Sequence, residues 1–216
     1  MRRTLVITGG TIDLDFAADY LARERFDKVI AVDAGLAAAS ALGMVPDMIV
    51  GDFDTVDRKT LERFEAMEHV IWDVHRPEKD ETDTELALIK ARAIGSTQIV
   101  VLGATGGRAD HMLANLHLLY PCLQSGIETI LIDPQNKIYL LDGEHTFERG
   151  KTWGKYVSFL PLTEQVRGIT LTGFRYPLQE KDISIGTSLC VSNELVAERA
   201  TVTFEDGVLI CVEARD

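Results

Sequence analysis

Ile99-Val100-Val101-Leu102-Gly103-Ala104-Thr105-Gly106-Gly107-Arg108-Ala109-Asp110-His111 opens on an uninterrupted apolar run and passes through three glycines. Helical periodicity follows, from about Asp110 to Gln124. A short strand that is apolar on both faces belongs to a covered sheet, and a strand–loop–helix step of this kind is the unit of a parallel α/β fold. Working outward, similar β-rich runs stand at Leu5–Thr8, Val29–Val32, Met48–Val50, Val70–Val74 and Thr129–Ile132. Each except the last is followed by a helical stretch of roughly ten residues. One helix has a marked start: Thr82 and Glu85 have capping-box spacing, with Leu86, Ile89 and Ala93 at helical intervals behind them.

The pattern changes after Lys137. Long helical periods stop, and short β-rich runs at Lys137–Leu141, Tyr156–Leu160, Ile169–Leu171, Leu189–Ser192, Ala200–Phe204 and Val208–Val212 are punctuated by glycines. This predicts a small antiparallel β-sandwich. The expected organisation is therefore α/β over residues 1–135, with a mostly parallel sheet flanked by helices, and a β-sandwich over 136–216.

The chain has 216 residues, 46% of them hydrophobic, and a formal net charge of −12. That charge repels phosphate polyanions, so neither nucleic acid nor an anionic membrane surface is an expected partner. A small anionic substrate remains open, because a bound cation inverts the local field. Cys122, Cys190 and Cys211 form no close pair and no zinc spacing, which fits a reducing compartment. Met1–Thr8 reads as a first strand rather than a leader, and no apolar run approaches the length of a membrane span. A cytoplasmic protein is expected.

Four polar segments follow predicted strands, where open α/β sheets bind ligands. Asp33-Ala34-Gly35 suits a ligand contact, although a turn or capping aspartate reads the same way. Gly51-Asp52-Phe53-Asp54 is more specific. If the backbone stays extended there, Asp52 and Asp54 share a side, and two adjacent carboxylates call for a cation such as Mg²⁺. Asp80, Thr82 and Asp83 gather at a helix N-terminus that suits a phosphate, but capping and dipole compensation explain them too. In the fourth segment Gly106 and Gly107 allow close approach to a phosphate, Arg108 can neutralise charge, and Asp110 can add a metal ligand. Its glycine spacing matches neither the P-loop nor the dinucleotide fingerprint. Gly9-Gly10 after the first strand faces a phosphate or simply turns. His111 reads as packing or capping.

Together, Asp33-Ala34-Gly35, Pro46-Asp47 with Gly51-Asp52-Phe53-Asp54, Asp80-Glu81-Thr82-Asp83 and Gly106-Gly107-Arg108-Ala109-Asp110-His111 resemble the signature blocks of the thiamine pyrophosphokinases in order and spacing. Tyr156-Val157-Ser158, Phe174-Arg175-Tyr176-Pro177-Leu178 and Ser192-Asn193-Glu194 extend the resemblance over nearly the whole chain. It implies transfer of pyrophosphate from ATP to the hydroxyethyl oxygen of thiamine, with Mg²⁺, in a homodimer whose active sites are composite. By position it implies Asp52, Asp54, Asp83, Arg108 and Asp110 as catalytic residues, with the four aspartates as metal ligands. Gly9, Gly10, Asp33, Lys79, Asp80, Thr82, Gly106, Gly107 and Arg108 would bind ATP, and Asp110, Ser192 and Asn193 would meet thiamine. Either Asp83 or Asp54 would accept the hydroxyl proton.

Two departures stand out. Many relatives have Gln where this chain has Lys79, and some stack thiamine on a Trp after the Ser-Asn pair, where Glu194 and Leu195 follow here. The only tryptophans are Trp72 and Trp153. The rival readings are a pyrophosphokinase for another small alcohol, such as a hydroxymethylpterin, and a sensing module without turnover. The full set of acidic positions with Arg108 speaks for turnover.

Overall fold

The structure is a computed structural model that describes residues 1–54, 56–75 and 80–216. Its chain divides into two compact units, Met1–Pro134 and Gln135–Asp216.

In the first unit β1 (Arg3–Ile7), α1 (Leu14–Arg23), β2 (Lys28–Val32), α2 (Gly35–Ala41), β3 (Met48–Gly51) and α3 (Arg58–Glu65) follow one another. Then come β4 (Ile71–Val74), α4 (Asp83–Ala93), β5 (Gln98–Leu102), α5 (Ala109–His117), α6 (Leu119–Gln124) and β6 (Glu128–Ile132). The strands lie in the order β6-β5-β1-β2-β3-β4 and all pair in parallel. The uniformly apolar runs form its centre: Leu5, Val6, Ile7, Ile49, Val50, Ile99 and Val101 are wholly buried. Leu36 of α2, Phe64 of α3 and Ala87 of α4 are buried as well, so helices supply the cover that such strands need. The edge strand β4 is half-buried or exposed along its length.

Local chemistry sets the helix starts. Asp13, Asp57 and Thr82 each accept a hydrogen bond from a backbone N–H of the first turn that follows, so α1, α3 and α4 begin where side-chain oxygens cap them. The stretch expected as one helix from Asp110 to Gln124 is two, α5 and α6, meeting at Leu118. Pro121 has no N–H to donate, and its ring restricts how far the α5 ladder can continue.

The second unit contains β7 (Asn136–Leu141), β8 (His145–Glu148), β9 (Tyr156–Pro161), β10 (Gln165–Thr172), β11 (Leu178–Ser184), β12 (Asn193–Glu194), β13 (Arg199–Thr203) and β14 (Leu209–Ala214). They form two antiparallel arrangements, β12-β9-β14-β7 and β11-β10-β13-β8. Phe147, Phe159 and Phe174 are buried and meet edge-on, with ring centroids 5.7–5.9 Å apart. One expected strand is corrected: Leu189–Ser192 is a turn. Only Cys190 of that run is buried, and Ser192 has φ +58, a backbone no strand adopts.

Candidate active site

Reading along the first unit's sheet, the chain order reverses between β5 and β1. The loops leaving the carboxyl ends of β1, β2, β3 and β5 line a cleft of about 640 Å³ there, the place where such sheets bind ligands.

The loop after β2 begins with Asp33. Its N–H donates to the Val50 carbonyl at 2.9 Å, tying this loop to β3, and φ of +46 turns its side chain into the cleft. Asp33 Oδ1 is shielded from solvent and has no hydrogen-bond partner among the described residues. β3 ends at Gly51, and the chain does not stay extended as expected. Phe53 adopts φ +63, so a left-handed turn rather than strand periodicity directs Asp52 and Asp54. The Asp54 N–H donates to Asp52 Oδ1 at 3.2 Å, and the Phe53 backbone N–H near Asp33 favours the charged form of that carboxyl.

As a result, carboxylate oxygens of Asp33, Asp52 and Asp54 lie within 4.8 Å of one another. Burial pushes the Asp33 carboxyl above its ordinary range, and the charges of Asp52, Asp83 and Asp54 push it further. Three hard oxygen donors around a shielded, unpaired carboxylate oxygen fit a small divalent cation. Asp33 therefore joins this cluster, although its sequence position pointed to the nucleotide.

The loop after β5 supplies the opposite wall. Gly10 approaches it so closely that a Cβ there would stand 2.1 Å from the Gly103 carbonyl oxygen, so only glycine fits. Asn115, buried on α5, donates to the Ala104 carbonyl at 3.0 Å, and the Thr105 hydroxyl donates to Asp133 Oδ2 at 2.6 Å. These two bonds hold the loop from both sides. Helix α5 starts at Ala109 without a side-chain cap from Arg108; the His111 N–H donates to Asp110 Oδ1 at 3.0 Å, and the N–H groups ahead of it in the first turn are left to an anion.

Arg108 lines the cleft, and its guanidinium forms a fork on Asp110, with Nη2–Oδ2 at 2.6 Å and Nε–Oδ1 at 3.1 Å. That pair holds the Asp110 carboxyl down at about 2. Asp110 is exposed and lies outside the three-carboxylate cluster.

Of the other expected residues, Gly9, Gly10, Thr82, Asp83, Gly106 and Gly107 line the cleft. Asp80 is exposed ahead of α4, and Lys79 lies outside the described residues. In the second unit Ser192 is exposed and its N–H donates to Ser158 Oγ at 2.9 Å. Asn193 is only 2% exposed. Its Oδ1 accepts from the Tyr176 and Glu194 N–H groups, and its Nδ2 donates to the Tyr176 carbonyl. The side chain thus holds the Tyr176 backbone.

Thr11, His111 and Asn115 also line the cleft and were not singled out as ligand contacts from sequence. Asn115 had a readable signal: a lone amide on the helical stripe of Met112, Leu116 and Leu119. A second cavity, of about 600 Å³, lies where α4 and α6 end. Arg92 is the sole ionisable side chain lining it, so the clustered chemistry belongs to the first cleft.

Residues 20–131 match the family model for the thiamin pyrophosphokinase catalytic domain, and residues 144–209 match that for its vitamin B1 binding domain. The chain is 39% identical to the thiamine pyrophosphokinase of Bacillus subtilis over 188 residues, 87% of each chain. The crystal structure of thiamine pyrophosphokinase from Bacillus subtilis superposes on the whole of both chains with a TM-score of 0.88 and 34% identity. That of thiamin pyrophosphokinase from Geobacillus thermodenitrificans covers 100% of this chain and 98% of its own, with a TM-score of 0.85 and 33% identity. The chain belongs to the thiamin pyrophosphokinase family.

Proposed function

We propose that the chain transfers the pyrophosphoryl group of ATP to the hydroxyethyl oxygen of thiamine, giving thiamine diphosphate and AMP. The observation that carries this reading is the Asp33–Asp52–Asp54 cluster beside a glycine-walled cleft, in a chain whose two halves match the family's catalytic and vitamin-binding domains. The vitamin-binding match at residues 144–209 favours thiamine over a pterin alcohol. The intact acidic set with Arg108 favours turnover over sensing.

Asp33, Asp52 and Asp54 are the residues to hold Mg²⁺. When bound, Mg²⁺ offsets phosphate charge and fixes the orientation of the chain of phosphates. The uncapped start of α5 and the backbone of Gly106 and Gly107 receive phosphate oxygens. Arg108 exchanges its exposed pairing with Asp110, which costs little to break, for the charge that develops on the leaving and transferring oxygens. Asp83 lines the cleft outside the three-carboxylate cluster and is assigned to accept the hydroxyl proton. Transfer of this kind needs positioning and charge neutralisation more than covalent help.

Thiamine recognition is assigned to the second unit, with Ser192 at its surface and Asn193 shaping the neighbouring Tyr176 loop. A homodimer with sites built from two chains follows the same family reading, and light scattering at twice the chain mass tests it. A cytoplasmic location accords with the acidic composition and with three buried, unpaired cysteines. Among the described residues no helix is long and apolar enough to cross a membrane.

The deciding experiment measures AMP released from ATP with and without thiamine. Release that requires thiamine supports the transfer. Equal release in both arms, or none in either, refutes it.

A further inference from the structure

Phe53 stands between two of the three clustered carboxylates with φ +63. A bulky aromatic residue is disfavoured in that region, so contacts outside the residue must hold it there. Its carbonyl accepts from the Val56 N–H at 3.2 Å. Its ring meets the Trp72 indole edge-on, with centroids 5.2 Å apart and planes at 79°. Among the described residues this is the aromatic partner of Phe53. Trp72 is anchored in turn, because it sits on β4 in register with Ile49 of β3, the strand that launches the turn.

We propose that Trp72 is a positioning residue for the divalent-cation site: through the Phe53 ring it holds the left-handed turn that brings Asp52 and Asp54 to Asp33. The inference rests on the metal reading of that cluster. Trp72 lies nearly twenty residues from the acidic block in sequence, and only the β3–β4 pairing makes them neighbours.

Without the indole, the turn is competent for only part of the time, and apparent metal affinity falls by that fraction. An edge-on aromatic pair biases such an equilibrium by roughly three- to tenfold.

The test titrates Mn²⁺ into the nucleotide-free full chain by calorimetry, for wild type, Trp72→Phe and Trp72→Ala, with circular dichroism as the check on folding. The expected result is Mn²⁺ affinity weakened about three- to tenfold in Trp72→Ala and held within about twofold in Trp72→Phe, where an aromatic edge is restored. The thiamine KM should be unchanged in both. In a Trp153→Phe chain Trp72 is the single indole, and Mg²⁺ alone should change its emission along a saturable curve. This arm also decides the matter if Trp72→Ala does not fold.

Folded Trp72→Ala that binds Mn²⁺ as tightly as wild type overturns the inference. So does equal weakening in Trp72→Phe, or Trp72 emission indifferent to Mg²⁺ while the metal binds. Wild type that binds no Mn²⁺ overturns the metal reading itself, and the inference with it.

Discussion

Replacing Asp33 by Asn should stabilise the metal-free protein while removing its response to Mg²⁺. Asn keeps the size and shape of the side chain and tolerates the left-handed backbone at φ +46. What it loses is a negative charge beside Asp52 and Asp54, within 4.8 Å. Two unit charges at that separation repel by about 3–4 kcal/mol at an effective dielectric constant near 20, and by about 1 kcal/mol in water. Asp33 is half-buried and Asp54 is exposed, so screening by solvent brings the relief down to about 1–2 kcal/mol. For a unit of this size that raises Tm by about 3–8 °C. The sign agrees with the raised Asp33 carboxyl: the fold favours the protonated form, so ionisation above that range costs stability, and Asn removes the cost. The assay is differential scanning calorimetry of wild type and variant, without metal and with saturating Mg²⁺. Wild type should gain stability on adding Mg²⁺ and the variant should gain far less. A metal-free variant no more stable than wild type would show that the cluster is not repulsive. An undiminished Mg²⁺ gain would remove Asp33 from the metal site.

Asp52→Asn and Asp54→Asn should each abolish turnover at limiting Mg²⁺ while remaining folded, measured by AMP release and circular dichroism; full activity in either would contradict its assignment. Arg108→Lys should lower kcat by about 100-fold with little change in the thiamine KM, because one point charge replaces a planar fork. An unchanged kcat would return Arg108 to a surface ion pair. Asn193→Ala should destabilise the second unit by about 3 kcal/mol, read by urea unfolding, since it strips partners from the Tyr176 N–H and carbonyl and from the Glu194 N–H. A loss under about 0.5 kcal/mol would mean that the buried amide holds nothing.

The first unit was legible because each of its signals is local. Apolar runs such as Ile99–Leu102 are fully buried strands, and Thr82 caps α4 through the Glu85 N–H at 3.2 Å, as their spacing suggested. In the second unit burial and sequence pattern part company. Strand β11 reads Leu-Gln-Glu-Lys-Asp-Ile-Ser and is exposed except at Ile183 and partly at Leu178, so it carries no alternation to detect. The run Leu189–Ser192 is apolar enough for a strand, yet Leu189 and Val191 point to solvent. Edge strands and turns take their conformation from what pairs with them, which a window of residues does not contain.

The acidic site shows the same division, with a sharper consequence. That Asp52 and Asp54 lie together was readable from their spacing, but the reason was not. A period-two argument places two side chains on one face of a strand, whereas the chain has left the strand at Gly51 and turns left-handed at Phe53. The cluster therefore owes its geometry to contacts distant in sequence: Asp33 N–H on the Val50 carbonyl, and the Phe53 ring on Trp72. Two non-glycine residues in left-handed backbone and three mutually repelling carboxylates are each unfavourable alone. They are held by a sheet whose central strands are buried along most of their length, and that rigid support is what allows an unfavourable arrangement to persist. Substitutions in the cluster should thus raise stability as they lower activity, whereas substitutions in its support, Trp72 among them, should lower both.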